Sequence, residues 1–294
     1  MTRLQHMLAR DLHEDNRRSW NSATRAHNSH KGDQAAFLSS GGSTLFAEEL
    51  DLLGDVVGRH LVHLQCNAGQ DSLSLAALGA EVTGVDISDE AISFATRLSA
   101  DSGIPATFVR SDLFDWFDHA ATAGSRFDVV FTSYGAIGWL SDLAAWGSGI
   151  AGVLRPGGRF VMVEFHPICH MYDWNWQAVD DYWMRGGQHA TFDDGVGDYV
   201  KASREGLVPW GYQDGMSEVA DPHPCHIFSW GLSDVIGALL AAGLSIEVFR
   251  EYPWSNGCVW GTGMRELPGR RFLPPAELPA FPMMYGIAAT REAV

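Results

Sequence analysis

The stretch from Leu61 to Asp86, LVHLQCNAGQDSLSLAALGAEVTGVD, predicts a strand, a turn, a helix and a second strand in succession. The first four residues are apolar, and Gln65–Gly69 is a turn of small and polar residues. Ser72–Leu78 has the apolar spacing of a helix, which the following glycine can end in a left-handed conformation. Glu81–Asp86 is then a strand that ends in a carboxylate. A tight turn followed by an acid about 20 residues on is the arrangement that a nucleoside ligand needs.

Two other nucleotide-binding patterns are missing from this stretch. The fingerprint G-x-G-x-x-G is absent, and only Gly69 remains of a glycine-rich turn. The sequence also has no G-x-x-x-x-G-K-[ST] loop to cradle phosphates. A nicotinamide-dependent oxidoreductase is therefore a weak alternative, although Asp86 would suit NAD.

Further predicted strands and turns follow Asp86 along the chain. Phe108–Leu113 is predicted as a third strand that ends in an acid, and Phe127–Phe131 as a fourth. Val153–Gly158 is a helix end and turn that leads into a fifth strand, Arg159–Phe165. Together, over residues 61–165, these motifs resemble the class I S-adenosylmethionine-dependent methyltransferases.

The resemblance implies an α/β fold with a Rossmann-like seven-stranded methyltransferase sheet and helices on both faces. Its last strand, predicted at Met284–Ala289, would be antiparallel. Ser88 and Ser141 are predicted as helix N-caps. We predict four regions: an N-terminal helical cap or lid, a cofactor-binding core, a substrate-facing insertion and the C-terminal part of the core sheet, at residues 1–45, 46–165, 166–228 and 229–294.

The resemblance also implies S-adenosylmethionine as cofactor and S-adenosylhomocysteine as product. Asp86, with Ile87 beside it, would accept the ribose hydroxyls, and Asp112, with Leu113, would accept from the adenine amino group. The residues implied around the methionine portion and the sulfonium are Gln65, Asn67, Ala68, Gly69, Ser133 and Trp20. Position in the family further implies a lid over the cofactor that contains His27, His30 and Lys31.

The first motif departs from the family pattern. His63 stands where the family usually has an acid, and Gln65 and Asn67 stand where it has glycines. Asparagine tolerates a positive φ better than most residues, but His63 offers no carboxylate to the cofactor's ammonium. The partner of that ammonium is left open, and a non-catalytic cofactor-binding protein remains an alternative.

Two residues are candidates for catalysis. His166 directly follows the fifth strand, so we expect it at the ligand-binding edge of the sheet, where it could act as a general base. Tyr134 follows the fourth strand, beside the expected methyl position. Methyl transfer from a sulfonium starts from an activated donor, so positioning supplies much of the rate.

Composition narrows the class of protein. The chain has 294 residues and is 46% apolar, which suits a globular protein with a sizeable core. It has no apolar run long enough to cross a membrane, and Met1–Trp20 lacks the apolar region of a secretory signal. The four cysteines form no C-x-x-C pair, which favours a reducing cytoplasm.

The net charge of −16 disfavours nucleic acid or an anionic membrane as partner, because both attract positive surfaces. A small-molecule acceptor is the default expectation. The sequence leaves the oligomeric state open, a homodimer included.

The insertion is rich in aromatic and acidic residues, which favours an amine or nitrogen-heterocycle acceptor of bacterial secondary metabolism. For most of these residues, packing in a small core is the stronger interpretation. O- or C-methylation and same-fold enzymes with non-methylating chemistry are alternatives. We predict no metal, although His166 and His170, with His223 and His226 downstream, leave that question open. The residues concerned in the insertion are Tyr172, Trp174, Trp176, Tyr182, Trp183, Trp210, Tyr212, Asp173, Asp180, Asp181, Asp193, Asp194 and Asp198, with Trp230 just beyond it.

Overall fold

The computed structural model describes residues 3–183, 189–216 and 223–292. Parts of three predicted regions therefore lie outside the described residues: residues 1–2 of the cap, 184–188 and 217–222 of the insertion, and 293–294 of the C-terminal part of the core sheet. None of the described helices is long and apolar enough to cross a membrane.

Seven strands of the described chain form one sheet in the order β3-β2-β1-β4-β5-β12-β8. The first five are parallel, and β12 runs antiparallel between β5 and β8. The predicted methyltransferase sheet with an antiparallel last strand is confirmed. Its strands are β1 (His60–Leu64), β2 (Glu81–Asp86), β3 (Thr107–Arg110), β4 (Phe127–Ser133), β5 (Leu154–Phe165), β8 (Leu244–Tyr252) and β12 (Met284–Arg291).

Helices cover both faces of the sheet, since its central strands are apolar on both sides. Trp146, Phe160 and Tyr285 are fully buried on one face, and Leu52, Leu61 and Phe131 on the other. The described helices are α1 (Arg3–Ser29), α2 (Gln34–Ser39), α3 (Ala47–Leu53), α4 (Gln70–Ala77), α5 (Asp89–Ser102), α6 (Leu113–Thr122), α7 (Leu143–Val153), α8 (Tyr199–Ser203) and α9 (Leu232–Ala241).

Local capping explains where two helices begin. The Ser88 hydroxyl accepts from the Ala91 N–H, so its predicted N-cap is confirmed. The prediction for Ser141 is wrong, because the side chain of the next residue, Asp142, accepts from the Ala145 N–H and caps α7.

Two small sheets stand outside the main one. The insertion forms the hairpin β6 (His189–Phe192) and β7 (Cys225–Phe228). The segment between β8 and β12 contains β9 (Ser255–Asn256), β10 (Arg265–Leu267) and β11 (Arg271–Leu273). Both small sheets lie beside the carboxyl ends of the parallel strands, where residues of each line the same cavity.

Candidate functional site

A cavity of about 700 Å³ opens at the carboxyl ends of the parallel strands. The turns after β1, β2, β3 and β4 form one part of its wall. Helix α1, the segment before α3, the insertion and the segment around β9 also contribute to the wall. Open α/β sheets bind ligands in this crevice.

The turn after β1 has a left-handed backbone at three positions. The φ values of Gln65, Asn67 and Gly69 are 55°, 48° and 81°. A Cβ at Gly69 would lie 2.7 Å from the Cβ of Ala95, so this position also requires the absence of a side chain. The Gln65 Nε2 donates to the Ala136 carbonyl at 2.8 Å, and its Oε1 is buried without a partner among the described residues. The turn therefore brings an unsatisfied acceptor to the cavity.

His63 lies beneath this turn and is neutral. Its Nδ1 lies 2.9 Å from the Ser72 hydroxyl, and its Nε2 lies 3.4 Å from the Ser133 hydroxyl. Burial lowers the pKa of His63 to about 4, so the imidazole carries no charge near pH 7. The position that is usually acidic in the family pattern therefore carries neither a negative nor a positive charge in this chain.

Asp86 ends β2 with its carboxylate at the cavity. One oxygen accepts from the Asn67 N–H and the other from the Ser88 N–H, both at 2.8 Å. Burial raises the pKa of Asp86 to about 6. Each oxygen keeps lone-pair capacity for a further donor. The geometry suits two adjacent hydroxyl groups, with Ile87 lining the wall next to them.

Asp112 lies beyond the end of β3, because that strand stops at Arg110. It is the N-cap of α6 and accepts from the Phe114 N–H at 2.9 Å. Its carboxylate also pairs with Arg10 and lies 2.7 Å from the His13 Nδ1. Burial alone would raise the pKa of Asp112, but the His13 hydrogen bond and the charge of Arg10 hold it below its ordinary value. Helix α1 thus reaches this end of the cavity.

The loop after β4 is held by a carboxylate that the sequence analysis did not identify. The buried Glu164 accepts from the backbone N–H groups of Gly135, of Ala136 at 2.7 Å and of Ile137 at 3.2 Å. Burial raises the pKa of Glu164 against the opposing effect of these hydrogen bonds. An acid inside an apolar strand, one residue before its end, is the sequence signal that could have identified it.

Tyr134 begins that loop and lines the cavity. Its hydroxyl accepts from the Asn256 Nδ2 at 2.8 Å, and its ring contacts Phe46 and Phe165. Burial raises the pKa of Tyr134 well above its ordinary value, so the phenol is neutral. The Asn256 Oδ1 is buried, and no residue that the structure describes is its partner.

The structure does not bring His166 to the cavity. Its Nδ1 accepts from the Ile168 N–H at 3.2 Å, and its Nε2 lies 3.2 Å from the Glu251 carboxylate. The ring is 3% exposed and is turned toward β8. A 3₁₀ turn, Pro167–Met171, follows. With three residues per turn, residues four apart point in different directions.

His170, at the other end of this turn, lines the cavity instead. Its ring is perpendicular to Trp260, with centroids 5.3 Å apart. Desolvation by the protein atoms of the cavity wall lowers the pKa of His170, against the attraction of Asp180, so the imidazole is neutral near pH 7. In the described ranges, no three His, Cys, Asp or Glu side chains converge as a metal site.

The aromatic residues of the insertion lie in different environments. Tyr172 and Trp176 pack with Phe281 in a small core, Tyr182 stacks on His166, and Trp183 is 83% exposed. Among the acidic residues of the insertion that are predicted to face the substrate, Asp180 is the one that lines the cavity in the described part of the chain. We call the wall around Tyr134 the aromatic chamber; it comprises Phe46, Tyr134, Phe165, His170, Trp174, Asp180, Asn256, Cys258 and Trp260.

Of the remaining cofactor-site candidates, Trp20, Ser133 and Leu113 also line the cavity. Trp20 packs edge-on against Trp139 at 5.2 Å between centroids, and the Ser133 hydroxyl faces His63. Leu113 and Phe114 form the wall near Asp112. Ala68 is buried and donates its N–H to the Asn67 side chain at 2.7 Å. The proposed lid residues His27 and His30 are buried against the insertion, and Lys31 reaches the cavity.

Comparison with known proteins agrees with this arrangement. Residues 62–158 match a family described as "Methyltransferase domain". The chain is similar to a ubiquinone biosynthesis O-methyltransferase from Proteus mirabilis, at 33% identity over 35% of this chain and 40% of that protein. It is also similar to an S-adenosyl-L-methionine-dependent Diels-Alderase from Talaromyces variabilis, at 31% identity over 36% of each chain. The match therefore spans well under half the length of these curated relatives.

The fold is shared with solved structures. An S-adenosylmethionine-dependent methyltransferase from Mesorhizobium loti superposes with a TM-score of 0.52 at 20% identity, over 82% of this chain and 94% of that one. Sheet order, motif order and family match therefore agree. Residues 62–158 of this chain match a methyltransferase domain, within a sheet that has the fold of the S-adenosylmethionine-dependent methyltransferases.

Proposed function

We propose that this protein transfers a methyl group from S-adenosylmethionine to a small, flat acceptor that carries a nitrogen atom. The observation that carries the proposal is the single cavity that joins the carboxylates at the strand ends to the aromatic chamber. The residues present fit the cofactor, because the buried Gln65 Oε1 and His13 Nε2 at the cavity wall have no partner in the described part of the chain.

The cofactor-holding roles follow from position and chemistry. Asp86 would accept both ribose hydroxyls, with Ile87 beside the sugar. Leu113 and Phe114 would cover the adenine, and Asp112 would accept from its amino group while remaining tied to α1. The turn Gln65–Gly69, with Ser133 and Trp20, would surround the methionine portion.

When bound, the cofactor would supply a methyl group already activated on a sulfonium, so the protein's task is to position the acceptor. Tyr134 is a neutral phenol and would orient the acceptor by hydrogen bonding. We assign proton removal to His170 rather than His166, because His170 is neutral and lines the chamber whereas His166 does not.

Aromatic faces and one carboxylate, Asp180, support a nitrogen acceptor, since both attract partial positive charge. Its origin in bacterial secondary metabolism rests on the family resemblance. The similarity to ubiquinone O-methyltransferases keeps oxygen as the alternative acceptor atom.

Calorimetric titration of ligand-free protein tests the cofactor assignment. We expect micromolar binding of S-adenosylmethionine and S-adenosylhomocysteine and none of NAD. Absence of binding to both sulfur nucleosides would contradict the proposal. A mass-spectrometric screen of matched anilines, phenols and carboxylates then tests the acceptor, and turnover of anionic acceptors alone would exclude the nitrogen assignment.

One finding favours a second candidate function on the same site. A relative with 31% identity over 107 residues is named as an S-adenosyl-L-methionine-dependent Diels-Alderase. A cyclisation or rearrangement would use the same cavity with the cofactor bound. Product analysis separates the two candidates, because only methylation consumes the cofactor.

A further inference from the structure

Two opposite charges face the cavity near the first turn without pairing with each other. Lys31 and Asp71 both line the wall, and their charges attract across it, yet they form no ion pair. Within the described ranges, the Lys31 ammonium has no hydrogen-bond or ion-pair partner. Partly buried charges whose hydrogen-bonding capacity is not filled are costly, so this arrangement points to a ligand that carries both opposite charges.

The backbone of Lys31 is fixed although its ammonium is unpaired. Lys31 forms a β-bridge with Tyr212 of the insertion. Its neighbour His30 is fully buried, with Nε2 2.8 Å from the Asp198 carboxylate and Nδ1 accepting from the Gly215 N–H at 3.0 Å. Burial lowers the pKa of Lys31 to about 8, partly opposed by the attraction of Asp71 and Asp198. The side chain is therefore held at the cavity wall and is still mainly charged at pH 7.

Asp71 presents one free oxygen. It lies in the first turn of α4, two residues after the left-handed Gly69. The Thr44 hydroxyl donates to its Oδ1 at 2.5 Å. No hydrogen-bond donor among the described residues contacts its Oδ2. Thr44 thus orients the carboxylate and leaves one oxygen available at the cavity.

We infer that Lys31 binds the carboxylate, and Asp71 the ammonium, of the cofactor's methionine end. This inference rests on the proposed function. An α-amino acid group carries both charges, so it can pair with a cation and an anion at once. The neutral His63 can supply neither partner. The pair Lys31 and Asp71 therefore replaces the acid that is missing from the first motif.

Binding of three nucleosides to full-length variants tests this assignment. S-adenosylhomocysteine carries both charges, decarboxylated S-adenosylmethionine lacks the carboxylate, and 5′-methylthioadenosine lacks the whole amino-acid end. We expect Lys31→Met and Asp71→Asn each to weaken S-adenosylhomocysteine binding roughly 10- to 100-fold, the usual effect of one charge-assisted hydrogen bond. Both variants should bind 5′-methylthioadenosine as the wild type does, and Lys31→Met should not weaken the decarboxylated ligand.

The chain offers close controls. Its only other lysine is Lys201, which is exposed on α8, so Lys201→Met removes a lysine without changing the cavity. Asp101→Asn removes an exposed carboxylate on α5. Both controls should bind all three nucleosides normally. Lys31→Arg keeps the charge and should retain most of the affinity, which also shows that the position tolerates substitution.

The contrary outcomes separate this inference from the proposed function. If both variants bound S-adenosylhomocysteine with wild-type affinity, this inference would be overturned and the proposed function would still stand. Equal weakening of S-adenosylhomocysteine and 5′-methylthioadenosine would do the same, because the loss would then be structural. A wild-type protein that binds none of the three nucleosides would overturn both.

Discussion

The two halves of the cavity come from the chain in different ways. The half at the strand ends is formed mainly by residues 63–137, which follow one another through β1 to β4. The aromatic chamber combines Phe46, Tyr134, Trp174 and Trp260, which are far apart in sequence. The first half contains motifs that can be recognised locally, and the second exists only after distant segments pack together.

The two halves of the cavity also differ in their chemistry. The first half supplies carboxylates and backbone groups at fixed positions, as the two N–H donors on Asp86 illustrate. The chamber supplies mainly aromatic surface and neutral polar groups, such as Tyr134 and His170. We therefore expect substitutions in one half to change cofactor binding and those in the other to change acceptor use.

The largest expected effect is that of Asp86→Ala on the cofactor half. Two charge-assisted hydrogen bonds would be lost, each contributing about 1.5–3 kcal/mol, so affinity for S-adenosylhomocysteine should fall roughly 100-fold or more. Isothermal titration measures the loss. The control is Asp128→Ala, which removes a carboxylate paired with Arg155 at the amino end of β4, away from the cavity. Comparable losses in the two variants would contradict a specific role for Asp86.

Gly69→Ala should destabilise the fold through the turn of the same half. The left-handed φ of 81° and the approach to Ala95 together predict a loss of about 3 kcal/mol in the free energy of unfolding. Gly103→Ala is the matched control, because its φ is 71° but nothing lies near its Cβ, so about 1 kcal/mol is expected. Urea denaturation measures both. Equal losses would mean that the turn moves to admit the methyl group.

The same contrast explains what the sequence could predict. Strand β1, its turn and Asp86 lie within 27 residues, so their order alone identifies the fold. His166 was predicted at the ligand edge because it follows β5, but the 3₁₀ turn directs His170 there instead. Strands β9 to β11 have two or three residues each, too few for a period of two to be seen. Lys31 and Asp71 are 40 positions apart, and no local pattern relates them.

The buried imidazole beneath the first turn should make stability depend on pH. Because the folded-state pKa of His63 is about 4 and the ordinary value is 6.5, the unfolded chain takes up the proton first. Wild-type stability should therefore fall as the pH decreases from 6.5 to 4, with no contribution from His63 above that window. In His63→Gln the loss between pH 7 and pH 4 should be smaller by on the order of 2 kcal/mol.

His27 shifts in the same direction but is present in both proteins, so it cancels in that comparison. His60→Gln, at the exposed start of β1, controls for the loss of an imidazole. Denaturant midpoints measured across the pH range provide the values. Parallel curves for wild type and His63→Gln would contradict a neutral, buried His63.

The smallest expected effect belongs to the chamber. Trp260 packs edge-on against Phe165 at 5.0 Å between centroids and against His170, so Trp260→Leu removes aromatic surface beside the acceptor. The KM for the acceptor should rise about 10-fold, equivalent to about 1.4 kcal/mol. Affinity for S-adenosylhomocysteine should not change. Steady-state kinetics and titration on the same preparation separate the two quantities.

Trp183→Leu is the control for that substitution, since Trp183 lies in the insertion but is largely exposed. It should alter neither quantity. If Trp260→Leu weakened S-adenosylhomocysteine binding as strongly as acceptor binding, the two halves would be energetically coupled. The coupling would then pass through the loop Tyr134–Ile137. Glu164 fixes the backbone of this loop, and the Tyr134 side chain contacts Phe165, which packs on Trp260. A change confined to the acceptor would instead show that Glu164 isolates the cofactor half from rearrangements of the chamber.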